Sequence, residues 1–110
     1  MSAPIPANCS GLANLKSPVI KDFRCKDTEQ LWETGRNRIF SRVARVALRK
    51  LQMLNAAEDL GTLVRVPGNR LEKLQAERQG QYSIRINDQF RVCFEFSTGQ
   101  AFEVEITDYH

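Results

Sequence analysis

An α+β fold is predicted for this chain, with two N-terminal helices packed on an antiparallel sheet formed by the C-terminal third. Three observations predict it. Val43, Ala47, Leu51 and Leu54 fall at i, i+4, i+8 and i+11, which lines one apolar stripe along a helix. Between Tyr82 and Ile106 apolar and polar residues alternate in three successive segments, the period of a strand with one buried face. Short turn sequences, Asn87-Asp88-Gln89 and Ser97-Thr98-Gly99-Gln100, separate those segments, so the strands form an antiparallel meander.

A chain of 110 residues holds one core. Up to Ser17 it shows no sustained periodicity, so residues 1–18 are expected to form a flexible extension and residues 19–110 the folded domain. Pro4, Pro6, Asn8 and Ser10 interrupt any apolar block there, which argues against a secretory signal. From Pro18 the character changes. Val19-Ile20-Lys21-Asp22-Phe23 is expected as a short edge strand. Asp27 is expected to cap a first helix running through Leu31 and Trp32, with Gly35 as its stop.

Ser41 is expected to cap the main helix, which runs to about Ala57. Its apolar stripe faces the core, while Arg42, Arg45 and Arg49 occupy another face at i, i+3 and i+7. Gly61, Pro67, Gly68 and Asn69 mark an irregular connection. In the strands, Tyr82, Ile84 and Ile86 alternate with Ser83 and Arg85. Phe90, Val92, Phe94 and Phe96 alternate with Arg91, Cys93 and Glu95, and Phe102, Val104 and Ile106 alternate with Glu103 and Glu105.

Hydrophobic residues at 42% and charged residues at 26% fit an ordinary soluble domain. No apolar run approaches the roughly 20 residues of a membrane-spanning helix, so no membrane role is expected. Cys9, Cys25 and Cys93 are odd in number and widely spaced, with no C-x-x-C pair. They fit a reducing cytoplasm and suggest neither a disulfide framework nor a zinc site, and no metal or other cofactor is expected. The formal charge of +3 is modest but concentrated. Arg36, Arg38, Arg42, Arg45, Arg49 and Lys50 follow one another with no acid among them, a block that suits a polyanion and equally a solvated helix face.

Strand parity brings a second group together. If Phe90, Val92, Phe94 and Phe96 face the helices, Arg91 points the other way with Ser83, Arg85 and Glu105. Continuing the last strand puts Tyr109 on that side, with His110 beside it. Cleaving RNA through its own 2′-hydroxyl requires a base, charge stabilisation on the phosphate and a proton for the leaving oxygen. Arginine suits the phosphate, histidine either proton transfer, and tyrosine stacking or proton sharing. A lone strand arginine is equally a surface residue, and a terminal Tyr-His equally a frayed end. There is no phosphate-cradling Gly loop, nucleophile elbow or metal-ligand spacing. The residues by themselves reach a basic α+β domain with a candidate anion-binding sheet face.

Three segments add to this: Gly80-Gln-Tyr-Ser-Ile-Arg-Ile-Asn-Asp-Gln-Phe-Arg-Val-Cys-Phe94, Val66-Pro67-Gly68-Asn69-Arg70-Leu71-Glu72 and Glu105-Ile106-Thr107-Asp108-Tyr109-His110. In this order they resemble HigB-type toxins of the RelE/ParE superfamily, from type II toxin-antitoxin systems, over about Val19 to His110. That likeness implies a RelE-like compact domain of two helices on an antiparallel sheet. It also implies a cytoplasmic, ribosome-dependent endonuclease that cleaves messenger RNA in the A site and inhibits translation. The implied partner is a HigA-type antitoxin with a helix-turn-helix domain, with operator DNA met only through it.

Carried over by position, Arg91 would contact the scissile phosphate, and Asp108, Tyr109 and His110 would form the C-terminal catalytic group. Arg42, Arg45 and Arg49 would face ribosomal RNA on grounds of charge, with Lys73, Gln75 and Arg85 also on the RNA side. The chain departs from the pattern at Leu74-Gln75-Ala76-Glu77-Arg78, where family members often read Leu-Lys-Gly-Asp-Arg. Gln75 stands at the lysine, and Glu72 where some members have histidine. Loss of a cation beside the transition-state phosphate costs roughly 3 kcal/mol in comparable sites, so a slow toxin is expected. Two alternatives are a non-enzymatic, ParE-like toxin that binds DNA gyrase and a weakened toxin that serves mainly as antitoxin partner in operon autoregulation. The intact Asp108-Tyr109-His110 end argues against the gyrase reading.

Overall fold

The computed structural model describes residues 19–75 and 80–108. The expected extension at residues 1–18 and the terminal Tyr109-His110 lie outside them. Three helices, α1 (Lys26–Thr34), α2 (Ala44–Ala56) and α3 (Leu60–Val64), precede a sheet of four strands: β1 (Glu72–Lys73), β2 (Gln81–Arg85), β3 (Phe90–Ser97) and β4 (Gln100–Asp108). The strands pair antiparallel in the order β1-β2-β3-β4. The α+β architecture is therefore the expected one, with one short helix and one short strand added.

Helix α1 ends as its sequence requires: Gly35 takes a left-handed φ of 78° and its N–H donates to the Leu31 carbonyl. Its start differs from expectation. Cys25 is the N-cap residue and makes no side-chain capping bond, and Asp27 sits inside the first turn. The Asp27 carboxylate instead accepts from Asn37 Nδ2 at 3.1 Å, fixing the link between α1 and α2. One residue on, Thr28 is fully buried and its hydroxyl accepts from the Ile106 N–H at 2.9 Å, which docks α1 on β4. Tertiary contacts, not a cap, set where this helix begins.

Ser41 to Val43 form a single 3₁₀ turn that leads into α2, so Ser41 does not cap the α-helix itself. Within the helix, Ala47, Leu51 and Leu54 are fully buried and Val43 packs at their edge, while Arg42, Arg45 and Arg49 are exposed. The stripe thus behaves as its spacing predicts. Helix α3 departs from expectation, because Gly61 reads as a breaker. Asp59 overrides it: its carboxylate accepts from the Thr62 N–H at 3.0 Å and the Thr62 hydroxyl at 3.2 Å. A second 3₁₀ turn, Pro67–Asn69, then delivers the chain to β1.

The sheet is closed by two tight turns. Asn87 Oδ1 accepts from the N–H groups of Gln89 and Phe90, an Asx arrangement that starts β3. Thr98 and Gly99 both have positive φ, as the primed two-residue hairpin between β3 and β4 demands. Strand β4 carries one feature that simple alternation hides. The register shifts between Cys93 and Glu95, with Glu103 at φ 54° and its N–H held by Asp22 Oδ1 at 2.5 Å. This bulge inverts the alternation beyond it. Ala101, not Phe102, is buried against the helices, whereas Phe102 pairs with Glu95 on the other face. The Val19–Phe23 segment runs parallel along the outer edge of β4 through bridges at Ile20 and Phe23, the edge position expected for it.

The core lies between the helices and one sheet face. Leu31, Leu51, Leu54, Leu63, Ile84, Val92, Phe94 and Val104 are all fully buried there. Each such side chain contributes about 1.5–3 kcal/mol relative to exposure.

Candidate functional site

The other face of the sheet is polar and yet closed. Ser83 and Cys93 are fully buried on it, Gln81 nearly so, and Arg91 is 8% exposed. Arginine is seldom buried unless its donors are satisfied. Here Nε donates to Ser83 Oγ at 2.7 Å, and Nη2 donates to the Arg70 carbonyl at 2.6 Å and lies 3.4 Å from the Ser83 carbonyl. Nη2 also stands 3.9 Å from Glu72 Oε1. Three elements therefore fix the guanidinium plane: β2 through Ser83, β3 through its own backbone, and the Arg70 turn.

The position opposite Arg91 on β2 is Arg85. Two like charges directly across a strand pair repel. Arg85 is partly relieved by an ion pair with Asp88 in the adjoining turn. Arg91 has Glu72, which is β1's residue opposite Ser83 and is mostly exposed. On the other flank of β3, Thr107 pairs with Arg91, and its hydroxyl is buried with no hydrogen-bond partner among the described residues. Buried hydroxyls without a partner are uncommon and mark positions worth explaining.

Helix α2 supplies the next cations. Burial of Lys50, and after it the charges of Arg49 and Arg85, push the Lys50 ammonium below its ordinary value of 10.5. Lys50 is 5% exposed and donates to Asn69 Oδ1 at 2.6 Å. Arg49 and Arg85 thus both act on the Lys50 charge, and Arg85 stands across the strand pair from Arg91. Before α2, Phe40 packs edge-on against Phe90 at 5.8 Å, which holds the approach to the helix against the start of β3. The arrangement is a bank of cations suited to a phosphate backbone.

Not every expected residue joins it. Lys73 pairs with Tyr82, whose ring packs against Phe94, so it lies on the helix side of β1 and away from Arg91. Gln75 is exposed beyond β1. Asp108 pairs with Phe90 and therefore shares its side of the sheet, opposite Arg91, with Oδ2 accepting from Gln89 Nε2 at 2.9 Å. Tyr109 and His110 lie outside the described residues. Among the described residues no cluster of three His, Cys, Asp or Glu is placed to hold a metal ion.

Sequence reasoning missed Glu72 as the carboxylate beside Arg91, and Lys50, Asn69 and Arg70 as its surroundings. The signal in the chain was the Val66–Glu72 segment, which carries part of the family likeness and sets Glu72 where some members have histidine, although its turn chemistry by itself reads as a connection.

Comparison with known proteins places the chain in a family. A family model described as a RelE-like toxin of the type II toxin-antitoxin system HigB matches residues 21–110. Toxin HigB-1 of Vibrio cholerae serotype O1 is 38% identical over 82 residues, 73% of this chain and 86% of that protein. Endoribonuclease HigB of Proteus vulgaris is 30% identical over 96 residues, 84% of this chain and 100% of that protein. A solved structure of the YoeB dimer from Staphylococcus aureus covers 84% of this chain and 93% of its own at a TM-score of 0.47 and 18% identity.

Proposed function

This chain belongs to the HigB-like family of RelE-like toxins of type II toxin-antitoxin systems, and on that premise we propose that it is an endoribonuclease. Its substrate is messenger RNA in the ribosomal A site, and its effect is to block translation. The observation that carries this reading is the pair of arginines set directly opposite one another, Arg85 and Arg91, in a fold that also keeps Arg42, Arg45 and Arg49 exposed. An arrangement that costs stability in the empty protein becomes favourable once a polyanion lies across it.

In this mechanism Arg91 binds the scissile phosphate. Its guanidinium is already oriented by Ser83 and the Arg70 carbonyl, so little ordering is left for the reaction. The ion pair with Glu72 is long and half in solvent, which makes it weak enough for a phosphate to displace. Tyr109 and His110 supply base and acid for the 2′-hydroxyl and the leaving 5′-oxygen, while Asp108, on the face away from Arg91, serves the terminal group by anchoring the strand end through Gln89. Arg42, Arg45, Arg49 and Arg85 follow the RNA backbone, with Lys73 and Gln75 at the margin.

A type II toxin of this family has an antitoxin partner. We assign it as a HigA-type protein with a helix-turn-helix domain, through which operator DNA is met, and we place the toxin in the cytoplasm with the ribosome. No helix among the described residues is long and apolar enough to cross a membrane.

The test is 5′-end mapping of a defined message on translating ribosomes with the wild type, Arg91→Ala and a chain lacking Tyr109 and His110. Cuts at A-site codons by the wild type, reduced about 100-fold or more in both variants, are expected. Growth inhibition with intact message, together with trapped gyrase–DNA complexes, would replace this reading with the gyrase-binding one.

A further inference from the structure

Resting on the assignment of Arg91 to the phosphate, we infer that Lys50 and Asn69 are positioning residues that aim the Arg91 guanidinium through the backbone of Arg70. Neither belongs to the strands that carry the site. Lys50 acts from the helix layer, and Asn69 closes the Pro67–Asn69 turn, one peptide bond before Arg70.

The connection is continuous in hydrogen bonds. Arg91 Nη2 donates to the Arg70 carbonyl at 2.6 Å. Where that carbonyl points depends on Arg70's backbone, which is left-handed at φ 44° and ψ 57°. An arginine adopts that conformation only where its surroundings impose it. What imposes it is Asn69, the fully buried residue just before. Asn69 Oδ1 accepts from Lys50 Nζ at 2.6 Å, Nδ2 donates to the Leu63 carbonyl at 3.0 Å and contacts Met53 Sδ at 3.2 Å, and its N–H donates to the Val66 carbonyl at 3.0 Å. One amide thus ties the turn to α2 twice and to α3 once. The next peptide carbonyl is thereby delivered to Arg91 at a fixed height above the sheet.

A buried ammonium is an expensive way to hold one amide. A wholly apolar joint between α2 and the turn would pack as well, but it would not set the rotation of the Asn69 side chain. Two-sided hydrogen bonding does, because an amide offers an acceptor on one side and donors on the other. Reaction rates at a site like this depend on such settings, since a displacement of about 1 Å can cost about 100-fold.

The experiment compares backbone with charge. Arg70→Gly and Arg70→Val both remove the Arg70 side chain, but glycine accepts a left-handed backbone and a β-branched residue resists it. Cleavage of ribosome-bound message is measured as kcat and KM for this pair, for Asn69→Asp and for Arg91→Ala, with thermal melting to confirm folding. Asn69→Asp keeps the acceptor for Lys50 and loses the donor to Leu63. The expected result is a kcat for Arg70→Val about 10- to 100-fold below that of Arg70→Gly, at similar KM, with Asn69→Asp falling likewise. Equal kcat for the two Arg70 variants, while Arg91→Ala is inactive, overturns the positioning role and leaves the assignment of Arg91 standing. Wild-type cleavage by Arg91→Ala overturns both. If Asn69→Asp fails to fold, the Arg70 pair decides.

Discussion

Lys50 holds an ammonium group at 5% exposure between Arg49 and Arg85, and its stability consequence can be derived with its sign. Burial first, then the two neighbouring cations, lower its pKa below 10.5 in the folded protein. Between the lowered value and 10.5 the unfolded chain holds a proton that the folded chain has released. Stability therefore rises with pH through that window, and below it the penalty on the charged form is constant. Lys50→Met removes the dependence. In denaturant unfolding at several alkaline pH values, the wild type should gain on Lys50→Met as pH approaches 10.5, and a constant difference would show that Lys50 titrates normally. Arg91 is a contrasting case, because the burial of its charge is offset by hydrogen bonds to Ser83 and the Arg70 carbonyl.

At the scale of the element, α2 does two jobs on two faces. Ala47, Leu51 and Leu54 fill the core, and Arg42 in the turn before it stays in solvent with Arg45 and Arg49. Because the basic face contributes little to folding, it can be altered separately. Replacing all three arginines with glutamine should leave stability within about 1 kcal/mol of wild type, as surface changes usually do. Ribosome binding should weaken roughly tenfold or more at physiological salt, and the slope of log affinity against log salt should shrink by about 0.7 for each phosphate no longer neutralised. An unchanged slope in a binding titration across salt concentrations would remove α2 from the RNA interface.

Across the whole molecule, stability is graded along the sheet. β3 and β4 share a long ladder and bury Val92, Phe94, Val104 and Ile106. At the other edge β1 is two residues long and exposed. Native-state hydrogen exchange should find the amides of Val92, Phe94 and Ile106 opening only with global unfolding and that of Leu74, bonded to Gln81, opening well before them. Equal protection throughout would mean that β1 is held by more than its two residues. The gradient matters for function because Glu72, the residue beside Arg91, sits on the least anchored strand. On the proposed role of Arg91, a phosphate would displace a carboxylate carried by a strand of only two exposed residues.

Much of this protein was determined by its sequence alone. Period 3.6 in α2 and period 2 in β2 and β3 record one-sided burial, which is a local property, and so the α+β class, the meander and the placement of Arg91 on the face away from the helices could all be read directly. Turn chemistry at Asn87 and Gly99 was equally local. Contacts between residues far apart in the chain could not be read that way. Thr28 on Ile106 set the docking of α1, and Asp22 on Glu103 held the bulge that turned Phe102 to the opposite face. Lys50 on Asn69 and Arg70 on Arg91 made a connecting loop part of the site. Alternation assigns a side chain to a face, whereas its partner there is fixed by the distance between chain segments, and that distance exists only once the helices are packed on the sheet.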